Sequence, residues 1–174
     1  PAERALSAAE TNQLDVIDQL IKDGNAAMAL ANQKFGEIKK PIGSDADYVT
    51  AVTKLAEIDN AVLQINVSIQ QGNQEFQGLN ATVTPAAIDA AGSARITKSK
   101  ADFAKLVDNF DARGGVNEQY KATQREMAAY KAANPGVPGN PAELARLEAE
   151  NAAHRAARSQ LEAEIAALKA RLAA

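Results

Sequence analysis

Few residues in this chain have the type and spacing that chemistry needs. Asp108-Asn109-Phe110-Asp111 precedes Gly114-Gly115, and its three oxygen-bearing side chains beside a turn suggest a hard-cation loop. The run lacks the alternating ligand spacing and the terminal Glu of a calcium loop, so it reads as a solvated helix end. Arg95, Lys98, Lys100 and Lys105 form the densest basic cluster, the natural place for a phosphate. Helical angles spread them around the axis, and Asp102 and Asp108 dilute their charge, which argues against phosphate or nucleic-acid contact there. Asp15 and Asp18 form a carboxylate pair of the kind expected on a hydrated helix face. Asn66-Val67-Ser68 and Asn80-Ala81-Thr82 match glycosylation acceptors, a pattern common by chance. One His and no Cys leave no nucleophilic triad and no Cys-ligated zinc. The expectation is a non-enzymatic protein with no cofactor and no metal.

The strongest pattern is a mode of association. Leu144, Asn151, Arg158, Ile165 and Leu172 recur every seven residues, interleaved three residues on by Leu147, His154, Leu161 and Leu168. That offset is the a/d signature of a coiled coil. Flanking charges favour a parallel, in-register pair at Glu150 with Arg155 and Glu164 with Lys169, and oppose it at Glu143 with Glu148. Each exposed pair contributes only ~0.2–1 kcal/mol, so the Leu/Ile seam must supply most of the stability. Asn151 at an a position resembles the polar interruption of transcription-factor leucine zippers. The likeness stops there, because a Pro/Gly linker stands where a basic DNA-reading helix would be.

His154 and Arg158 place two polar groups on the same seam, one helical turn apart. The plain reading is a loose centre in which Arg158 carries its charge outward past small Ala neighbours. The sharper one is a pH-sensitive seam. A neutral His154 buried beside Arg158 would have a depressed pKa, with stability present above ~6.5 and lost as pH falls below it. Sedimentation that gives one mass from about pH 7 to pH 5 would remove that reading.

The elements that carry these residues are helices. Hydrophobic residues make up 46% and aromatics only 4%, with no Trp, so burial must come from many small contacts along extended seams. Ser7-Ala8-Ala9-Glu10 has the capping-box pattern and starts a first helix. Leu14, Ile21, Met28 and Phe35 repeat along it, Lys39 and Lys40 complement its last turn, and Pro41 and Gly43 stop it. Ser44 caps a second helix bearing Tyr48, Leu55, Val62, Ile69 and Phe76. The two share matches at an offset of 41 residues, Phe35 on Phe76 and Ile17-Asp18 on Ile58-Asp59, which duplication or shared periodicity would both produce. Thr84-Pro85 predicts the start of a third helix, and Gly114-Gly115 breaks it before a shorter segment with Val116, Tyr120, Met127 and Tyr130. Short connections require consecutive helices to run antiparallel.

Together these predict an all-α chain. An elongated antiparallel helical bundle, three long helices plus a shorter segment, occupies 1–133. A Pro/Gly linker spans 134–140, and 141–174 form a C-terminal coiled-coil helix. That helix is either a native oligomerisation element or an added zipper. The net charge of −3 argues against a generally basic nucleic-acid binder. No apolar run approaches a membrane span and no signal-peptide pattern is present, so the expectation is a soluble, by default cytoplasmic, chain. The function expected is that of a structural or interaction protein, a scaffold, virion or surface-assembly component. It would form homo-oligomers, dimers or trimers, through 141–174, with a protein partner for the bundle faces. The alternative is a helical sensor dimerised by a zipper, which a pocket near Gly24, Gly72 and Gly114 would favour.

Overall fold

The computed structural model describes residues 3–83 and 87–136, together with 145–146, 149, 152–153, 156–157, 159–161 and 163–167. These residues are helical wherever they form regular structure, apart from one isolated bridge between Arg4 and Ile88. The chain is a helical bundle. Its elements are α1 (Ala8–Gly36), α2 (Asp45–Thr82), α3 (Ala90–Phe110) and α4 (Val116–Ala133). The residues described between 145 and 167 are also helical.

The capping box at the start of α1 forms in full: Glu10 donates its backbone N–H to Ser7 Oγ, and the Glu10 carboxylate accepts from the Ser7 backbone. Helix α1 stops earlier than the sequence predicts. It ends at Gly36, with Lys34 as the base in its last turn, so Lys39 and Lys40 lie beyond it. The break comes before Pro41 because the Glu37 and Ile38 amides bond back three residues, to Lys34 and Phe35, and tighten the end. Ser44 caps α2 through the Asp47 amide as expected. The third helix begins later than Thr84-Pro85 predicts. Asp89 is its N-cap and accepts from the Gly92 amide at 2.8 Å. Thr84 and Pro85 lie outside the described residues. The segment that follows them is occupied in pairing: the Arg4 amide donates to Ala87 O and the Asp89 amide to Arg4 O.

Helices α1 and α2 run antiparallel. Lys34 and Glu57 meet at 3.2 Å near one end, and the Thr82 hydroxyl donates to Glu10 near the other. Helix α3 follows α1 in the same sense, since Arg95 reaches Asp15 and Leu106 lies against Gly24. Helix α4 continues that direction past the break at Gly114, whose φ of +75° suits only glycine. Gln119 bonds Asn32 near the end of α1, and Tyr130 stacks on Tyr48 near the start of α2. The broken pair α3–α4 thus acts as one long third helix with a jog in it.

One core cluster runs through the bundle, with Leu14, Ile17, Leu55, Ile58, Ile65, Phe103, Phe110 and Tyr120 at 1% exposure or less. Each large apolar side chain buried in this way stabilises the fold by roughly 1.5–3 kcal/mol, far more than an exposed ion pair. Two glycines set how closely α3 approaches. A Cβ at Gly72 would lie 2.3 Å from the Phe103 ring, and one at Gly24 would lie 2.9 Å from Leu106 Cδ2. Phe103 uses the first notch to meet Phe76 edge-on, with ring centroids 5.4 Å apart.

Polar ties close the ends of the bundle. Arg4 grips Glu10 through two bonds of 2.7 and 2.9 Å and also donates to Thr82 O. These bonds and the Ser7 backbone hold the buried Glu10 carboxyl down at about 2. At the other end Tyr130 donates its phenol to Asp45, which pushes Tyr130 up to about 12. Between α1 and α2, Lys34, Glu37, Lys54 and Glu57 alternate in sign, with Lys54 to Glu37 the shortest contact at 2.9 Å.

Candidate functional site

Two places on the bundle concentrate the groups that could engage another molecule. The first is the flank of α2 that meets the C-terminal helix. Of the nine residues on the predicted association seam, Leu161 and Ile165 fall among the described residues. Both are buried within the single chain, at 3% and 2% exposure, and join the core cluster. The other seven, Leu144, Leu147, Asn151, His154, Arg158, Leu168 and Leu172, lie outside the described residues.

Tyr130 is bonded to Asp45 at the start of α2, and Glu164 accepts a hydrogen bond from Gln70 at 3.4 Å, 25 residues further along. The seat is polar and incompletely filled. A cavity of about 500 Å³ separates the two helices, lined on α2 by Ile69, Gln70, Asn73, Gln74 and Gln77 and on the other side by Glu164 and Ala167. The Gln/Asn-rich face of α2 is therefore the wall of an inter-helix space.

The second place is a groove of about 650 Å³ between α1 and α3. Its floor is Ile21 and Leu106, and its polar rim is Asp18, Lys22 and Asn25 from α1 with Lys98, Asp102, Lys105 and Asn109 from α3. The basic cluster read from the sequence divides here. Arg95 is neutralised by Asp18 at 2.6 Å and Asp15 at 3.1 Å, and it also donates to the buried Ser99 hydroxyl, which in turn donates to Asp18. Lys98 pairs with Asp102 at 2.8 Å, which raises its pKa. Lys105 lines the groove on the side opposite Lys22 instead. Neither Lys22 nor Asn25 stood out in the sequence. Their one signal was the spacing 15, 18, 22, 25, which continues the flank already marked by Asp15 and Asp18 and aims it at the helix after next.

The remaining candidates resolve locally. Asp111 accepts from the buried Asn117 amide at 3.1 Å, which ties the α3–α4 break together. Among the described residues no group of three or more His, Cys, Asp or Glu side chains gathers to hold a metal. Asn66 sits inside α2, half-buried, which gives the Asn-Val-Ser acceptor a helical setting. The room beside Gly24 and Gly72 is taken by Leu106 and Phe103, and no side chain lies against Gly114. No helix among the described residues is long and apolar enough to cross a membrane. No family model, curated protein or solved structure matches this chain.

Proposed function

We propose that this protein is a non-enzymatic interaction protein that self-associates through the heptad helix of residues 141–174. The bundle is the rigid body, and the helix behind the Pro/Gly linker is the connector. Gathering several bundles on one coiled coil raises the effective concentration of whatever their faces bind, so modest contacts add up to firm attachment. A scaffold or surface-assembly component works in this way.

The observation that carries the reading is the nine-position ladder from Leu144 to Leu172, which offers far more apolar seam than one polar helix flank can use. On α2, Glu164 and Ala167 beside the ladder face Gln70, Asn73, Gln74 and Gln77 across an unfilled space, while Leu161 and Ile165 pack against the core cluster of their own chain. A second copy offers Leu and Ile in register instead, and knobs-into-holes packing fills the gap. Dimer and trimer both satisfy the ladder, and Asn151 favours one register at some cost in stability. The sensor reading has less support, because the notches at Gly24 and Gly72 are already filled by the protein's own side chains.

The cysteine-free chain permits a clean test. Leu168→Cys places one thiol at a d position. Mild oxidation at micromolar protein should give a disulfide-linked dimer on a non-reducing gel, while Ser159→Cys, away from the seam, should stay monomeric. Equal cross-linking of the two variants would sink the proposal.

A further inference from the structure

The groove between α1 and α3 carries charge that the fold itself does not use. Helical spacing provides Lys22 with Asp18 one turn before it, and Lys105 with Asp102 three residues before it and Asp108 three residues after it. All three acids are already engaged, Asp18 with Arg95 and Ser99, Asp102 with Lys98, and Asp108 in a contact of its own. Lys22 and Lys105 therefore line one groove as two cations with no ion pair among the described residues, and the Asn25 and Asn109 amides beside them make no hydrogen bond to the described residues. Two like charges on one rim repel, and an anion between them relieves that repulsion. The floor of Ile21 and Leu106 is apolar and buried, so it suits the carbon body of a ligand better than a bare ion.

We propose that this groove binds a small phosphate monoester. The phosphate sits between the Lys22 and Lys105 ammonium groups, which act as point charges, and accepts from the Asn25 and Asn109 side-chain amides. The organic part lies along Ile21 and Leu106. Arg95 and Lys98 stay with their carboxylates and hold the end of the groove closed to a second anion. The rim is exposed, so screening by salt keeps the affinity modest.

The test is an NMR titration of the ¹⁵N-labelled full chain with glycerol 3-phosphate at constant ionic strength. Saturable shifts are expected at the Asn25 and Asn109 side-chain amides and at the backbone of Lys22 and Lys105. Lys22→Gln and Lys105→Gln should each weaken binding about two- to fivefold, as expected for one exposed charge contact, and the double variant should abolish saturation. Lys39→Gln, on an exposed lysine outside the groove, should change nothing. Absence of saturable shifts, or shifts as large around Lys39 and Lys40 as in the groove, overturns the proposal. Flotation with phosphatidic acid vesicles runs in parallel. Retention on vesicles without a response to the free monoester would assign the lysines to a lipid surface and contradict the small-molecule site.

Discussion

Helix α2 has two sides that do opposite things. Toward α1 and α3 it presents Leu55, Ile58, Ile65 and Gly72, all buried, and the neighbouring helices come close enough for Phe103 to fill the glycine notch. Toward the C-terminal helix it presents Gln70, Asn73, Gln74 and Gln77 around a space of about 500 Å³. The first interface is apolar and shaped to one partner. The second is polar-lined, underfilled and joined by a polar contact of 3.4 Å. Close packing is what makes an interface costly to open, so the two flanks differ in how readily they exchange partners.

Overpacking the tight side should have the largest effect. Gly72→Val drives a branched side chain into Phe103 and should destabilise the fold by about 2–3 kcal/mol. Thermal melting reads this as a loss of roughly 4–12 °C for a chain of this size. Phe103→Leu in the same background should recover part of that loss, and additivity of the two changes would show that the notch is not shared.

The clasp at the end of α1 comes next. Glu10 is buried and its carboxyl is held at about 2, below the unfolded value of ~4.3. A depressed carboxyl contributes stability that is complete above the unfolded pKa and is lost as pH falls toward the folded one. Melting temperature should therefore drop between about pH 4.5 and pH 2, and Glu10→Gln should flatten that drop. Near neutral pH the same variant should cost about 1–2 kcal/mol, less than a fully buried pair, because the Arg4 side chain is 45% exposed. A wild-type acid slope that persists in Glu10→Gln would assign the effect elsewhere.

Smaller still is Tyr130→Phe, which removes the bond to Asp45 and leaves the stacking on Tyr48 in place. Chemical denaturation should show a loss smaller than that of Glu10→Gln. Smallest for the bundle is Leu168→Asn combined with Leu172→Asn, two ladder positions of the proposed connector. Melting of the bundle should move by about 1 °C or less, while light scattering reports dissociation of the oligomer. A large loss of bundle stability from this pair would place the C-terminal helix in the committed core.

Much of the fold was legible because heptad spacing marks which face of a helix is buried. Leu14, Ile21, Met28 and Phe35 on α1, and Tyr48, Leu55, Val62, Ile69 and Phe76 on α2, are all buried. Capping chemistry located the starts of α1 and α2 for the same reason, since Ser followed by an acid three residues on satisfies its own backbone. The ends were harder. Lys39 and Lys40 suggested a longer α1, and what stops it is a tightening at Glu37 that no single residue announces. The start of α3 was displaced by pairing between Arg4 and Ile88, a contact across the whole length of α1 and α2 that local sequence does not encode. The likeness at an offset of 41 residues reflects seam period more than environment. Phe35 and Phe76 are both buried, but Asp18 reaches an exposed ion pair while Asp59 is enclosed. The groove was only half legible: Lys105 was in view, and its companion Lys22 is brought beside it by a helix 80 residues away.

The most direct measurement is the mass in solution of the full chain against a chain ending at Asn134, by sedimentation equilibrium over a range of concentrations. The full chain should be a dimer or trimer and the shortened one a folded monomer. The same number of chains per particle in both would contradict this, because the connector would then not be the helix of residues 141–174.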